Sequence, residues 1–113
     1  MSVSLTWSFS RTAVERPWGV ELSAASVDVA VTGEMDVYTK EQVKSEIEAL
    51  LGGHIRVITF DLTDVSTMDS AGLETLMFAV KRLREQGGRL RVKPGKWKRL
   101  FTLTRLDRMM DLI

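Results

Sequence analysis

Two hydrophobic patterns of different period meet in the middle of the chain. The segment 55–62 is rich in β-branched and aromatic residues, namely Ile55, Val57, Ile58, Phe60 and Leu62. A run of this kind predicts a strand that is covered on both faces. We expect this strand to stop at Asp61 and a polar loop to follow it. Beyond the loop, apolar residues recur at steps of three and four, which predicts an amphipathic helix with an inward stripe of Leu73, Leu76, Met77, Val80 and Leu83.

The first turn of this helix carries a serine. Asp69, Ser70, Ala71 and Gly72 are expected to occupy that turn. A helix N-terminus has unsatisfied backbone N–H groups and a partial positive charge, which favour a nearby anion. The Ser70 hydroxyl is therefore predicted to lie where a phosphate would be stabilised.

The N-terminal third is predicted to form strands. In residues 1–17, Leu5, Trp7 and Phe9 alternate with polar residues, which indicates an edge strand that Pro17 ends. We interpret residues 1–17 as an N-terminal extension and residues 18–113 as the domain itself. Residues 18–22 and 27–31 are predicted to pair as a hairpin, joined by the small polar residues 23–26.

A first helix is predicted to begin near Thr39. Gln42 follows three residues later, which is the spacing of a capping box in which the two side chains satisfy backbone N–H groups. Gly52 and Gly53 are expected to end the helix in the left-handed conformation. Its predicted inward stripe is Val43, Ile47, Leu50 and Leu51.

The pattern of helix, Gly-Gly and strand returns at Gly87 and Gly88, which precede a predicted strand at 89–92. A turn is expected at Pro94 and Gly95, and residues 97–113 predict one or two short helices. The predicted fold class is mixed α/β (α+β): a mixed sheet with N-terminal antiparallel strands and three to four helices packed on it.

Composition limits the classes of protein that fit. The 113 residues suffice for one domain, and 44% of them are hydrophobic. The absence of cysteine excludes disulfides and thiolate metal sites, and favours a cytoplasmic protein. We expect no signal peptide and no insertion into a membrane, because no apolar run approaches the roughly 20 residues that would be needed.

The net charge of +1 hides an asymmetry along the chain. Residues 81–108 contain eleven basic residues and two acidic ones, whereas residues 12–80 contain twelve acids and four bases. The basic third could contact nucleic acid or an acidic protein. We favour a solvated surface, because the basic residues alternate with apolar core positions, and we expect no direct nucleic-acid partner.

Enzyme motifs are missing. A serine nucleophile on a strand-to-helix elbow needs glycine two positions earlier, where this chain has Met68. The single histidine, His54, precedes the central strand and is expected at the end of the strand away from Ser70. No phosphate-binding glycine loop or cluster of metal ligands is evident. The chain is predicted not to be an enzyme and to need no cofactor or metal.

Four carboxylates leave two interpretations open. Asp36, Asp61, Asp64 and Asp69 each follow a predicted strand, so several could gather at one edge of the sheet and bind Mg²⁺ or accept a phosphoryl group. The alternative, which we favour from these residues alone, is that Asp36, Asp64 and Asp69 are turn and helix-cap residues.

Four ordered motifs resemble those of STAS domains of the anti-sigma factor antagonist type. The first is Gly-Glu-Met-Asp at 33–36, and the second joins Phe-Asp-Leu at 60–62 to Met-Asp-Ser-Ala-Gly-Leu at 68–73. The others are Gly-Gly-Arg-Leu at 87–90 and Leu-Thr-Arg-Leu-Asp at 103–107. The resemblance runs from about Val20 to the C-terminus, and it implies a STAS-like fold in a bacterial regulator.

The resemblance also implies a function. Proteins of this type bind an anti-sigma factor serine kinase and so free a sigma factor. The serine after the aspartate, here Ser70, is phosphorylated by that kinase, and a phosphatase would reset the switch. The aspartate of the first motif, here Asp36, takes part in kinase recognition. The expected partner-binding residues are Met35, Asp36, Met68, Asp69, Ser70, Gly72 and Leu73.

The sequence departs from the family pattern at three places. Ala71 replaces a common serine or threonine, which leaves Ser70 as the acceptor there, and Arg105 stands where glycine is frequent. The N-terminal extension is also longer than usual. Three alternatives remain open: a STAS subunit of a membrane transporter such as a lipid-exporting ATPase, a nucleotide-binding regulator, and a nucleic-acid-binding protein.

Overall fold

A computed structural model describes residues 2–52 and 55–113. Five strands form one sheet in the order β1-β2-β3-β4-β5: β1 (Val3–Arg16), β2 (Gly19–Met35), β3 (Ile55–Met68), β4 (Arg89–Lys93) and β5 (Asp111–Leu112). Three α-helices accompany them in this part of the chain: α1 (Lys40–Leu51), α2 (Ser70–Glu85) and α3 (Lys98–Leu103). Short 3₁₀ helices at Gly95–Trp97 and Leu106–Arg108 flank α3.

The sheet is mixed, as the sequence predicts. Strands β1 and β2 are antiparallel, whereas β2, β3, β4 and β5 pair in parallel. One core lies between the sheet and the helices, because α1, α2 and the parallel strands bury their apolar residues against each other. Its members include Val27, Val29, Val31, Val43, Ile47, Leu50, Leu51, Ile58, Phe60, Leu62, Leu76, Val80, Leu83, Leu90, Val92 and Phe101. The mixed α/β fold class and the inward stripe on α1 are confirmed; on α2, Leu73 and Met77 are only partly buried.

The N-terminal hairpin differs from the prediction. Strand β2 is continuous from Gly19 to Met35, so no turn interrupts it at residues 23–26. The hairpin forms instead between β1 and β2, with Pro17 and Trp18 in the turn and Arg16 opposite Gly19. Strand β1 pairs with Ala25 and Ser26 and again with Leu22, so β2 continues through the small polar residues, with a bulge in the ladder between Arg11 and Ala13.

The central strand is also longer than predicted. Strand β3 does not stop at Asp61 but continues to Met68, pairing with β2 up to Met35. Irregularities in the β2–β3 register, between Ala30 and Thr32 and between Gly33 and Glu34, shift the side chains, so the period of two is lost. The segment 63–67 therefore resembles a loop in sequence although it is a strand.

The start of α1 uses other contacts than a capping box. Thr39 makes no capping bond from its side chain, and the Gln42 amide donates to the Val3 carbonyl at 3.1 Å instead. The Thr39 hydroxyl accepts from the Asp36 N–H at 3.1 Å and donates to the Glu34 carbonyl at 2.7 Å. Thr39 and Gln42 therefore do not bond to the N–H groups that a capping box would use.

Glycines end the two long helices by different means. Helix α1 ends at Leu51, but Gly52 has a φ of −68° and is not left-handed, so that part of the prediction is wrong. Gly53 and His54, on which further predictions rest, lie outside the described residues. Gly87 after α2 does have a left-handed backbone, with a φ of +73°. The Gly88 N–H then closes the end of α2 on the Leu83 carbonyl at 2.7 Å.

Candidate functional site

Two loops begin side by side at the carboxyl ends of β2 and β3. Met35 and Met68 are paired partners at the last position of the β2–β3 ladder. The Asp69 N–H then donates to the Met35 carbonyl at 3.3 Å. This pairing places the loop before α1, residues 36–39, next to the start of α2, as expected at the carboxyl edge of parallel strands.

Asp69 joins these two segments and caps α2. Its Oδ1 accepts from the Ala71 N–H at 2.9 Å and from the Gly72 N–H at 3.2 Å. Its Oδ2 accepts from the Val37 N–H of the neighbouring loop at 3.3 Å. One carboxylate therefore satisfies helix donors that would otherwise be unpaired and fixes the first loop against the helix.

Ser70 is the first residue of α2, and it is exposed. Among the described residues its hydroxyl makes no side-chain hydrogen bond, because the capping position is occupied by Asp69. The hydroxyl therefore lies at the positive end of a 16-residue helix and is open to solvent. An incoming phosphoryl group could reach it without unfolding the helix.

Asp36 lies in the adjacent loop but is buried. Its Oδ1 accepts from the Tyr38 N–H at 2.9 Å and from the Thr39 N–H at 3.1 Å. These bonds hold the backbone in the tight turn that leads into α1. Asp36 thus shapes the loop beside Ser70, and most of its surface is not available to a partner.

The other predicted partner-binding residues divide by exposure. Met35 is 1% exposed and Gly72 is also buried, so both lie in the interior beneath the exposed residues of the site. Met68 and Leu73 are partly exposed and flank the serine along the chain. The structure therefore brings all seven predicted positions together, but only some of them reach the surface.

Sequence reasoning missed two exposed side chains at this site. Val37 and Tyr38 follow Asp36, and Tyr38 is 76% exposed. The sequence does contain a sign of this exposure. Val37 and Tyr38 are apolar but lie between a strand and a helix, outside the periodic positions that face the core. We define the Ser70 surface as Val37, Tyr38, Met68, Ser70 and Leu73.

An ion pair borders the Ser70 surface. Lys40, at the start of α1, contacts Glu74 of α2 with a distance of 3.0 Å between Nζ and Oε2. The hydrogen bond and the charge of Glu74 raise the pKa of Lys40 above its usual value. Because both side chains are solvated, this pair adds little to the stability of the fold.

Asp61 and Asp64 are not part of this site. Both lie within β3, and at about 3.3 Å per residue Asp61 is roughly 20 Å along the strand from Met68. Asp61 instead accepts from the Thr63 hydroxyl at 2.5 Å and from the Thr63 N–H at 3.0 Å. These bonds lower the pKa of the Asp61 carboxyl below its usual value. Of the two interpretations, the gathering of Asp61 and Asp64 beside Ser70 is therefore wrong, because β3 does not end where predicted.

Within residues 2–52 and 55–113, no three His, Asp or Glu side chains are arranged to hold a metal ion. In the same part of the chain, no helix has both the length and the apolar character that a membrane span requires.

The chain is similar to proteins of known type. The sequence profile of the STAS domain family matches residues 20–113. An anti-sigma-B factor antagonist from Listeria monocytogenes is 39% identical over 87 residues, which cover 77% of this chain and 75% of that protein. The anti-sigma-B factor antagonist of Bacillus subtilis is 31% identical over 97 residues, covering 82% and 86% respectively.

The fold agrees with these matches. A solved structure of a candidate anti-sigma factor antagonist from Thermotoga maritima superposes with a TM-score of 0.71 at 20% identity, covering 90% of this chain and 84% of that one. The matched segment includes the whole Ser70 surface, and the resemblance of its motifs is confirmed. The chain therefore belongs to the STAS domain family, in the group that includes the anti-sigma-B factor antagonists.

Proposed function

We propose that this chain is an anti-sigma factor antagonist that is switched by phosphorylation of Ser70. The observation that carries the proposal is the exposed Ser70 hydroxyl at the start of α2, bordered by exposed apolar side chains. The names of the relatives from Listeria and Bacillus support the same role. In this scheme the chain binds an anti-sigma factor serine kinase and is its substrate.

The unphosphorylated form docks through the Ser70 surface. Val37 and Tyr38 project from the loop, and Met68 and Leu73 add partly exposed apolar area around the serine. Aromatic side chains at the centre of an interface commonly contribute much of the binding free energy. The loop is held in place by Asp36 and Asp69, so little conformational freedom is lost when the partner binds.

Phosphorylation changes the charge at the centre of that surface. The kinase transfers the γ-phosphoryl group of ATP to the Ser70 Oγ, which loses its proton, and ADP leaves. The new group carries about −1.5 to −2 charge at neutral pH. In the free protein, the N-terminus of α2 stabilises this charge by roughly 0.3–1 kcal/mol.

In the complex, the phosphate costs more free energy than the N-terminus of α2 contributes in the free protein. Against a partner the phosphate would be desolvated beside the carboxylate of Asp69, the residue directly before Ser70. A mismatched buried charge at an interface typically costs about 2–5 kcal/mol. Because this cost exceeds the stabilisation by the helix, the complex dissociates while the fold persists. A phosphatase restores binding.

The test is to measure binding and modification together. We would incubate the chain with candidate anti-sigma kinases and ATP, map the phosphopeptides by mass spectrometry, and measure the affinity of Ser70→Ala and Ser70→Glu by calorimetry. We expect phosphate at position 70, binding by Ser70→Ala that ATP does not release, and at least about thirtyfold weaker binding by Ser70→Glu.

The matched control is Thr102→Glu, which adds the same charge at an exposed hydroxyl in α3. Thr102→Glu should bind normally. Phosphate on another residue, or normal affinity of Ser70→Glu for the kinase, would contradict the proposal.

A further inference from the structure

The outer edge of β1 is an unpaired strand edge. Strand β1 lies at the end of the sheet order and pairs with β2 alone among the described strands. The register with β2 is regular from Val3 to Arg11, and a bulge follows before Ala13. The segment from Ser2 to Ser10 therefore offers a straight row of backbone donors and acceptors along one side.

This edge lacks the features that normally prevent pairing. Residues 2–10 read Ser-Val-Ser-Leu-Thr-Trp-Ser-Phe-Ser, with no charged residue, proline or glycine. Natural edge strands usually carry lysine, proline or a bulge to block a neighbour. Here Trp7 is 48% exposed and Phe9 is also exposed, and their rings lie 5.7 Å apart. An apolar pair thus remains uncovered next to an open edge.

The hydrogen bonds show which backbone groups face outward. The Ser2 carbonyl accepts from the Glu34 N–H at 2.9 Å, so it faces β2. Because successive residues alternate, the groups of Val3 face away from β2, and the Val3 carbonyl indeed accepts from the Gln42 amide. By the same alternation, the N–H and C=O groups of Leu5, Trp7 and Phe9 face the open side.

We propose that this edge binds a second copy of the chain through antiparallel pairing of the two β1 strands, with a two-fold axis at Thr6. This axis lies at the middle of the uncharged segment, so each of residues 2–10 lies opposite a residue of the second copy, while the Val3 carbonyl keeps its bond with Gln42. Leu5 then lies opposite Trp7 of the second copy and exchanges backbone hydrogen bonds with it. Thr6 faces Thr6 of the second copy in a non-hydrogen-bonded pair.

The side chains of residues 2–10 form a self-complementary pattern, which identifies a second copy of the chain as the partner. In this register Val3 lies opposite Phe9, and Ser4 lies opposite Ser8, so apolar residues meet apolar ones and hydroxyls meet hydroxyls. Since the segment carries no charge, two copies do not repel each other along it. Such an isologous contact closes after two copies, and it joins the two sheets into one.

Single cysteines test the register, because the chain has none of its own. Opposed residues of a non-hydrogen-bonded pair lie about 4.5 Å apart at Cα, which suits a disulfide. We expect mild oxidation of Thr6→Cys to give a covalent dimer. Ser4→Cys and Ser8→Cys should each stay monomeric alone, since like positions lie roughly 13 Å apart, and should cross-link when mixed.

Light scattering with size-exclusion chromatography tests the surface itself. The wild-type chain should show twice the monomer mass at high concentration, and Trp7→Lys should shift the equilibrium to monomer by at least tenfold in dissociation constant. Trp18→Lys is the matched control, because Trp18 is 78% exposed but lies at the hairpin turn. It should dimerise like wild type, and circular dichroism would check the fold of both variants.

Three results would overturn the proposal: a wild-type chain that stays monomeric, a dimer that persists in Trp7→Lys, or equal cross-linking of Ser4→Cys and Thr6→Cys. The first would leave the edge without a self-partner, and the second would place the dimer contact on another surface. None of these outcomes bears on the Ser70 switch, because kinase binding is measured separately.

Discussion

Gly72 lies directly against Met35. A Cβ atom built on Gly72 would overlap the Met35 carbonyl oxygen and lie 3.0 Å from the Met35 Cβ. The start of α2 therefore approaches the end of β2 more closely than any side chain at position 72 would permit. This contact, with the Asp69 bonds, sets the distance between the loop at 36–39 and Ser70.

Gly72→Ala should separate these two segments. The added methyl group meets backbone atoms, which cannot move aside as a flexible side chain would, so we expect a loss of about 1–3 kcal/mol in the free energy of unfolding. Urea denaturation would measure the loss. The loss in the free energy of unfolding can be compared with that of Ala79→Gly, a change in the middle of the same helix. An unchanged stability of Gly72→Ala would show that α2 can shift without cost.

We predict that Asp36 contributes more to the stability of the fold than to direct contact with the kinase. Asp36→Ala removes the acceptor of the part-buried Tyr38 N–H and one of the two acceptors of the Thr39 N–H, which keeps the Asp36 carbonyl, and each lost bond costs about 0.5–1.5 kcal/mol. Asp36→Asn keeps an oxygen at the same place and should retain most of the stability. Thermal unfolding of both variants, beside their kinase affinity, separates the two roles. Binding lost in Asp36→Asn at normal stability would assign a direct contact to the carboxylate.

Tyr38 is predicted to anchor the kinase. Because it is exposed, Tyr38→Ala should leave the free energy of unfolding within about 0.5 kcal/mol of wild type. Removal of an aromatic anchor from an interface should weaken binding by about 2 kcal/mol, which is roughly thirtyfold. Leu103→Ala, in a residue that is 70% exposed on α3, is the matched control. Equal affinity of the Tyr38 and Leu103 variants would remove Tyr38 from the docking surface.

Arg105 adopts a conformation that favours glycine. Its φ of 60° and ψ of 19° lie in the left-handed region, which costs a residue with a Cβ roughly 1–2 kcal/mol. Arg105→Gly should therefore stabilise the protein, by about 0.5–1 kcal/mol after the greater freedom of glycine in the unfolded chain is subtracted. Arg99→Gly, within α3, should have the opposite effect. A lower melting temperature for Arg105→Gly would contradict the argument.

Asp61 should give the protein a sensitivity to acid. Its folded pKa is lowered by the Thr63 hydrogen bonds, so the stability it contributes is present above its ordinary pKa of about 3.9 and is lost as the pH falls through the folded value. Asp61→Asn should make the free energy of unfolding fall less steeply from pH 5 to pH 3. Thr63→Val, which removes the hydroxyl donor, should flatten the same limb. Parallel curves for Asp61→Asn and wild type would contradict this.

Much of the fold could be predicted because local pattern and tertiary structure agree there. The stripes of α1 and α2 follow a period of 3.6, and the helices bury those positions fully on α1 and in part on α2. Gly87 and Gly88 end α2 as predicted, since a positive φ is a local requirement that the sequence records directly. The position of Ser70 could also be predicted from local sequence, because Asp69 caps α2 and Ser70 is the first residue of that helix.

The errors lie where a distant partner determines the structure. The segment 63–67 continues β3 only because β2 runs beside it, and the register shifts hide the alternation. Strand β2 runs through residues 23–26 because β1 pairs with Ala25 and Ser26 and again with Leu22, across a bulge. Strand β5 was missed because two residues, Asp111 and Leu112, carry no period at all. No local pattern records such contacts.

At the site, the sequence indicated which residues lie together but not which of them reach the surface. Asp36 and Met35 belong to the motif that marks the site, yet both are buried. Val37 and Tyr38 belong to no motif, yet they are the most accessible side chains of the loop that packs beside Ser70. A motif that is needed to build a surface is therefore a poor guide to the atoms that a partner touches.

The pairing of Met35 with Met68 has a consequence for how such regulators diversify. It anchors both loops to one rung of the sheet, so the spacing between serine and loop is inherited with the core. The identities of residues 37 and 38 are not constrained by that core. Under the proposed function, a change of these two side chains would alter the choice of partner and leave the position of Ser70 unchanged.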